Sequence, residues 1–287
     1  MPVAAGFSVR PDAMSRHTRA VPSALLPQAL APLRAEPANA AILLDIDGTL
    51  APIVEHAGDA NVPEGTRHLL IAVARRYGLV ACVSGRRAKE ARAMVSVGTI
   101  SYIGSHGAEL LRAGWTEPVL DPQVEDWARR IEAFGREVDT PDLRRCRVRL
   151  EDKGAIVGFH WRGAPDEDTA RAAIDAIAAR AEKAGLRTHW GRKVLEVRPP
   201  VRIDKGVGVT AFLAGAKLSA VLYVGDDTTD VDAFRALDQL AQEGQIEHVV
   251  RVGVLSEDGP SEIAEEADVT VEGTEGVLEL LAMLITD

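Results

Sequence analysis

From Ala40 onward the chain alternates short, continuous apolar runs with stretches in which apolar residues recur every three to four positions. AAILLDIDG, GLVACVSG and SYIGSHG have the length and composition of buried strands, and GTRHLLIAVARRY and RAKEARAMV between them have the period of helices. Strands buried on both faces and separated by helices are the grammar of βαβ units and a parallel sheet. It returns near the C-terminus, where KGVGVTAFLAGA (helix) leads to SAVLYVGDD (strand), TDVDAFRAL (helix), HVVRVGV (strand) and EGVLELLAMLI (helix). Between about 113 and 198 the pattern changes: DPQVEDWARRIEAFGREV and DEDTARAAIDAIAARAEKAG read as amphipathic helices, and RCRVRLEDKGAIVGFHWRG and LRTHWGRKVLEVRPP as hairpin-like β segments. The expected fold is α/β: a doubly wound, Rossmann-like parallel-sheet core over 39–112 and 199–287, interrupted by an α+β cap domain at 113–198.

Residues 1–38 hold six prolines, four arginines and no lysine. This composition predicts a poorly ordered tail, with a targeting role as the alternative. Hydrophobic residues make up 46% of the 287 and charged residues 26%, which is ordinary globular usage. A net charge of −10 leaves no electrostatic footprint for nucleic acid, so an anionic substrate has to be met by local cations. No apolar run approaches the roughly 20 residues of a membrane span. The two cysteines, Cys82 and Cys146, lack the spacing of a metal site and read as structural thiols in a reducing cytoplasm. Oligomeric state has no signature in the sequence.

The candidate chemistry falls at strand ends of the core. Asp45 and Asp47 in LLDIDGTL follow the first buried strand, where an open α/β sheet binds its ligands. Asp-Gly is also a hairpin dipeptide, but GTLAPIVEHAGDANVPEG runs through a loop to a helix instead of a second strand. Ser84-Gly85-Arg86 offers a hydroxyl, a backbone N–H and a guanidinium, suited to phosphate. Ser84 fits an ordinary helix N-cap equally well. Lys205-Gly206 opens a helix, and a solvated surface lysine is its plain reading. Asp226 and Asp227 follow another buried strand, with Asp230 at the start of the next helix. Carboxylates gathered there repel one another unless a cation sits among them, and Mg²⁺ suits oxygen donors. An acidic helix N-terminus is the alternative.

The four pieces DxDGT, SGR, Lys-Gly and GDD, in this order on an α/β core, resemble the haloacid-dehalogenase superfamily. GSHGAEL, EDKG followed by FHWR, GRKVLEVRP and GDDTTD narrow the resemblance to the trehalose-6-phosphate phosphatase family over about 40–287. The resemblance implies Asp45 as covalent nucleophile and Asp47 as acid and then base. It implies Mg²⁺ held by Asp45, the backbone carbonyl of Asp47 and Asp226, and phosphoryl oxygens bound by Ser84, Gly85 and Lys205. Asp227 and Asp230 support the metal and Lys205. Glu151, Lys153, Arg162 and Glu196 match sugar-binding cap positions, with Arg86 and His106 reaching from the core. Each of these cap residues also has a plain reading as an exposed or half-buried hairpin charge.

The expected activity is hydrolysis of trehalose 6-phosphate through an aspartyl-phosphate, the last step of trehalose biosynthesis. Related capped phosphatases acting on sucrose, mannosylglycerate or hexose phosphates are the enzymatic alternative. A phospho-accepting signalling domain is the alternative of another class, opposed by Asp47 and the large cap. The sequence departs from the family pattern at Val231, where an acid usually follows GDDTTD, and at Ser105, where Asn is common.

Overall fold

The computed structural model describes residues 25–54, 60–257 and 259–286. The elements of the first half of the core are α1 (Leu26–Ala29), α2 (Ala31–Ala35), β1 (Ala40–Asp45), α3 (Glu64–Arg76), β2 (Leu79–Val83), α4 (Ala88–Val95), β3 (Ser101–Gly104), β4 (Glu109–Leu111) and β5 (Val119–Leu120). The cap contributes α5 (Pro122–Val138), α6 (Pro141–Arg145), β6 (Arg149–Asp152), β7 (Val157–His160), α7 (Glu167–Lys183), β8 (Arg187–Gly191) and β9 (Val194–Arg198). The chain then returns to the core with α8 (Lys205–Leu213), β10 (Ala220–Gly225), α9 (Thr228–Gln242), β11 (His248–Leu255), α10 (Ser261–Glu266), β12 (Val269–Glu272) and α11 (Gly273–Ile285).

The core is an eight-stranded sheet in the order β12-β11-β10-β1-β2-β3-β4-β5. Pairings from β12 through β3 are parallel, and those of β4 and β5 antiparallel. Every residue of β1 and β10 is buried, as continuous apolar runs covered by helices on both faces require. Alternate residues serve opposite faces: Ile42 and Leu44 pack with α3, α4 and α11, while Ala41 and Leu43 pack with α8, α9 and α10. The register pairs Asp45 with Val83 and Leu44 with Val224, so the carboxyl ends of β1, β2 and β10 open at one rim.

Two expected boundaries are corrected. Part of the supposed tail is folded: Leu26, Leu30 and Leu33 are at most 1% exposed and belong to the main core. Their spacing is that of one helix face, but Pro27 and Pro32 mask it. Each proline sits near the start of a short helix, where its missing N–H is not needed. Residues 1–24 lie outside the described residues. The core sheet also continues past 112 through the β4–β5 hairpin to Leu120, and the cap sheet and its helices follow from Pro122.

The cap is an antiparallel sheet, β6-β7-β9-β8, with α5 and α7 packed on one face through Phe159, Leu195, Val197, Ile131 and Ile174. The two-residue period places Glu151, Gly158, Glu196 and His189 in one row across all four strands, on the opposite face. A small apolar seam of Ala108, Val124, Ala155, Ile156 and Ile203 joins cap to core. Among the described residues, no helix is long and apolar enough to cross a membrane.

Candidate active site

Asp45 ends β1 and is 4% exposed. Lys205, the first residue of α8, donates from Nζ to Asp45 Oδ1 at 2.6 Å and to Asp230 Oδ1 at 2.6 Å. Asp230 accepts two further kinds of donor: the Tyr223 hydroxyl at 2.7 Å, and the amides of Asp226 and Asp227 at 3.1 and 3.0 Å. With both its oxygens so engaged, Asp230 anchors Lys205 and the β10–α9 turn. Asp226 follows β10 and accepts from the buried Thr49 hydroxyl at 3.3 Å. Gly48, at φ +94°, lets the chain pass Asp226 where a Cβ would stand 2.0 Å from Oδ2.

Asp45, Asp226 and Asp230 can each bring one carboxylate oxygen within 4.8 Å of the others. Burial would lower the Lys205 ammonium's pKa, but Asp230 and Asp45 reverse that, so the lysine stays charged. Burial, reinforced by Asp230 and Asp226 and opposed by Lys205, pushes Asp45 well above the carboxylate range. Asp226 is pushed up to about 6, chiefly by burial and then by Asp230. Three buried carboxylates facing one ammonium leave negative charge in excess, and a hard divalent cation bound by oxygen fits that deficit. Asp230 has little lone-pair capacity left, so Asp45 and Asp226 are the side chains suited to hold the ion.

Asp47 is held by a different partner. Arg86 grips it with two hydrogen bonds, Nε to Oδ2 at 2.8 Å and Nη2 to Oδ1 at 2.6 Å. Ser84 is buried, and its hydroxyl accepts from the Arg86 amide at 3.1 Å. The N-cap reading of Ser84 does not hold, because α4 begins only at Ala88. The Ala88 amide is satisfied by buried Glu109 at 2.8 Å. Asp227 is an N-cap: it and Asp230 form a reciprocal capping box on α9.

The loop after β3 is wound left-handed at Ser105 (φ +50°), His106 (φ +55°) and Gly107 (φ +105°). Two main-chain bonds hold it against the Ser84–Arg86 loop, the Ser105 amide to the Arg86 carbonyl at 2.7 Å and the His106 amide to the Ser84 carbonyl at 3.1 Å. The His106 ring packs on Gly85, where a Cβ would come within 2.8 Å of it. Burial lowers its pKa to about 4, with Lys205, Lys153 and Arg198 acting in the same sense against Glu196.

On the cap, Glu196 is buried and receives Lys153 Nζ at 3.0 Å and Arg198 Nε at 3.0 Å. Burial would raise its pKa, but Lys153 and Arg198 outweigh this and bring it to about 2. His160 Nε2 lies 2.7 Å from Glu151 Oε2, and Lys153 Nζ lies 3.6 Å from the same carboxylate. Gly158 keeps the centre of the row open, since a Cβ there would meet His160 at 3.2 Å. Arg162, expected beside these groups, is exposed in the turn after β7 and forms no ion pair among the described residues. Val231 is 4% exposed within the apolar layer between α9 and the sheet, so that position packs the core.

Sequence reasoning left Thr49, Tyr223, Glu109, His160 and Arg198 without roles. Arg198 had a signal, because two residues along a strand returns it to the face of Glu196. Glu109 and Tyr223 had none, since an acid and a tyrosine in apolar runs reveal their partners only on folding.

A parallel sheet with acids at the carboxyl ends of β1 and β10, a lysine at the head of α8 and a cap inserted after the third parallel strand define the haloacid-dehalogenase class. Within that class, the chain belongs to the trehalose-phosphatase family, whose sequence profile matches residues 43–269. It is 34% identical over 211 residues to an uncharacterized glycosyl hydrolase of Mycobacterium tuberculosis, covering 69% of this chain and 15% of that one. It is 31% identical over 215 residues to the probable trehalose-phosphate phosphatase D of Arabidopsis thaliana, covering 70% of this chain and 58% of the relative. The C. albicans trehalose-6-phosphate phosphatase C-terminal domain shares the fold with a TM-score of 0.69 at 20% identity, over 93% of this chain and 98% of that one. The chain thus spans less than two thirds of these two curated relatives.

Proposed function

We propose that this protein hydrolyses trehalose 6-phosphate to trehalose and phosphate, with Asp45 as nucleophile. The observation that carries this reading is the pairing of two surfaces: the Lys205–Asp45–Asp226 cluster of the core, and a cap row in which Glu151, Lys153 and Glu196 stand close together. Lys205 holds one Asp45 oxygen and balances its charge, and the Asp45 carboxylate attacks phosphorus. The P–O bond to the sugar breaks as Asp47 gives its proton to the leaving oxygen. Asp47 then takes a proton from water, which attacks the aspartyl-phosphate, releases phosphate and restores Asp45. Arg86 fixes the direction of the Asp47 carboxyl through its two hydrogen bonds. Ser84, the Gly85 amide and Lys205 are the donors for the phosphoryl oxygens.

Asp45, Asp226 and the backbone carbonyl of Asp47 would hold Mg²⁺, which when bound would neutralise charge between carboxylate and phosphate. The sugar is uncharged and polar, and the fixed carboxylates and ammonium of the cap row are suited to its hydroxyls. His106 from the core is the further candidate for the sugar, and Arg162, exposed in the turn after β7, would have to reach it from outside the row. Two free cysteines, of which Cys82 is buried, suit a cytoplasmic setting.

The test is phosphate release by the purified protein across a panel of sugar phosphates with Mg²⁺, and with EDTA as control. Preference for trehalose 6-phosphate that is abolished by EDTA is the expected result. Equal rates on sucrose, mannosylglycerate and hexose phosphates would move the substrate. A long-lived phosphoprotein without turnover would replace the enzyme by a signalling domain.

A further inference from the structure

The β6–β7 turn of the cap is clipped to the core at three points. Ser105 Oγ donates to the Lys153 carbonyl at 2.5 Å. Arg87 lies 3.4 Å from buried Glu109 and 3.7 Å from Asp152 of the turn. Gly154, at φ +78°, rests so closely on Glu109 that a Cβ would come within 2.5 Å of Oε1. The turn is closed internally by the Lys153 amide on the Ile156 carbonyl at 2.8 Å and the Gly154 amide on Asp152 Oδ1 at 2.7 Å.

Ser105 is unusual on both sides of this contact. A left-handed backbone at a residue other than glycine costs roughly 1–3 kcal/mol and persists only where its surroundings hold it. Here the holding groups are the Arg86 and Ser84 carbonyls of the loop beside Asp47. One short segment therefore grips the phosphate-side loop with its backbone and the cap with a side chain. The turn it grips carries Lys153, whose ammonium reaches Glu196, and it lies one residue past Glu151.

We propose that Ser105 is a positioning residue for sugar recognition: its hydroxyl fixes the β6–β7 turn, sets Lys153 and Glu151 against Glu196, and ties the placement of the cap to the Ser84–Arg86 loop. Ser105→Ala removes the donor from the Lys153 carbonyl and leaves Asp45, Asp47 and Lys205 with their partners. Ser105→Asn keeps an N–H donor and suits the left-handed backbone.

The substrate named here rests on the trehalose 6-phosphate reading, so the experiment has two arms. In steady-state kinetics on trehalose 6-phosphate and p-nitrophenyl phosphate, Ser105→Ala raises KM for the sugar phosphate about five- to tenfold, the effect of one lost hydrogen bond. Hydrolysis of the aryl phosphate, which has no sugar to position, changes far less, and Ser105→Asn restores the lower KM. Equal losses on both substrates, or an unchanged KM for the sugar phosphate, overturn the proposal. In the second arm, hydrogen exchange of the Lys153 and Gly154 amides in the full chain is several-fold faster in Ser105→Ala than in the wild type. Identical exchange in the two proteins overturns the proposal whatever the substrate. Faster exchange in a protein whose wild type ignores trehalose 6-phosphate upholds the clip and refutes only the substrate reading.

Discussion

Lys205 and the acids around it are buried together because none could be buried alone. An unpaired charge in the interior costs several kcal/mol, whereas here the ammonium has two carboxylate partners and Asp230 has four donors. Replacing Asp45 by Asn removes the proposed nucleophile but leaves Lys205 paired with Asp230. Phosphate release should therefore fall to background with the circular dichroism spectrum unchanged, and retained turnover would place the nucleophile elsewhere. His106 is the residue whose titration reports the site's dryness. Its folded pKa of about 4 lies below the ordinary 6.5, so between these values the unfolded chain takes up a proton that the folded chain refuses. Its contribution to stability is complete above about pH 6.5 and declines as pH falls toward about 4. Denaturant titrations of the wild type and His106→Asn should show the wild type losing stability relative to the variant over this window. A difference independent of pH would mean that His106 is not held neutral by burial.

At the scale of elements, α1 and α2 are the clearest case of apolar spacing outweighing composition. Leu30 is fully buried in the main core, so Leu30→Ala should destabilise the protein by about 2–5 kcal/mol, read as a shifted denaturation midpoint. A surface-like change below about 0.5 kcal/mol would show that the segment does not pack there. The β7 and β9 strands illustrate the other half of the same principle, since their inward residues fill the cap core and their outward residues compose the polar row. Glu196→Ala leaves the half-buried Lys153 and Arg198 charges without their shared partner. It should depress hydrolysis of trehalose 6-phosphate at least tenfold beyond that of an aryl phosphate, a gap of about 1.4 kcal/mol in transition-state binding. Parallel losses on both substrates would deny it a role in sugar binding.

At the scale of the whole molecule, core and cap meet at a small apolar seam, the core carrying the strand-end acids and the cap the polar row. The core cluster is short of positive charge as it stands, so a divalent ion that binds only the folded state should stabilise it. At a Mg²⁺ concentration 100 times its Kd the gain is about 2.7 kcal/mol. Calorimetry should show a rise of several degrees in the melting temperature with Mg²⁺, absent in Asp226→Ala; equal rises in both proteins would put the ion elsewhere. The sequence by itself determined the alternation of strands and helices, the interruption by a cap, the strand-end positions of Asp45, Asp47, Ser84 and Asp226, and the place of Lys205 at the start of a helix. It could do so because burial imposes a period on local sequence, and because a parallel sheet gathers its ligands at one rim. Only the tertiary structure decided that Arg86 holds Asp47, that Tyr223 joins Lys205 on Asp230, that Val231 packs the core, and that Ser105 clasps the cap. These depend on side chains from distant segments meeting at hydrogen-bond distance, and no period along the chain encodes such a meeting.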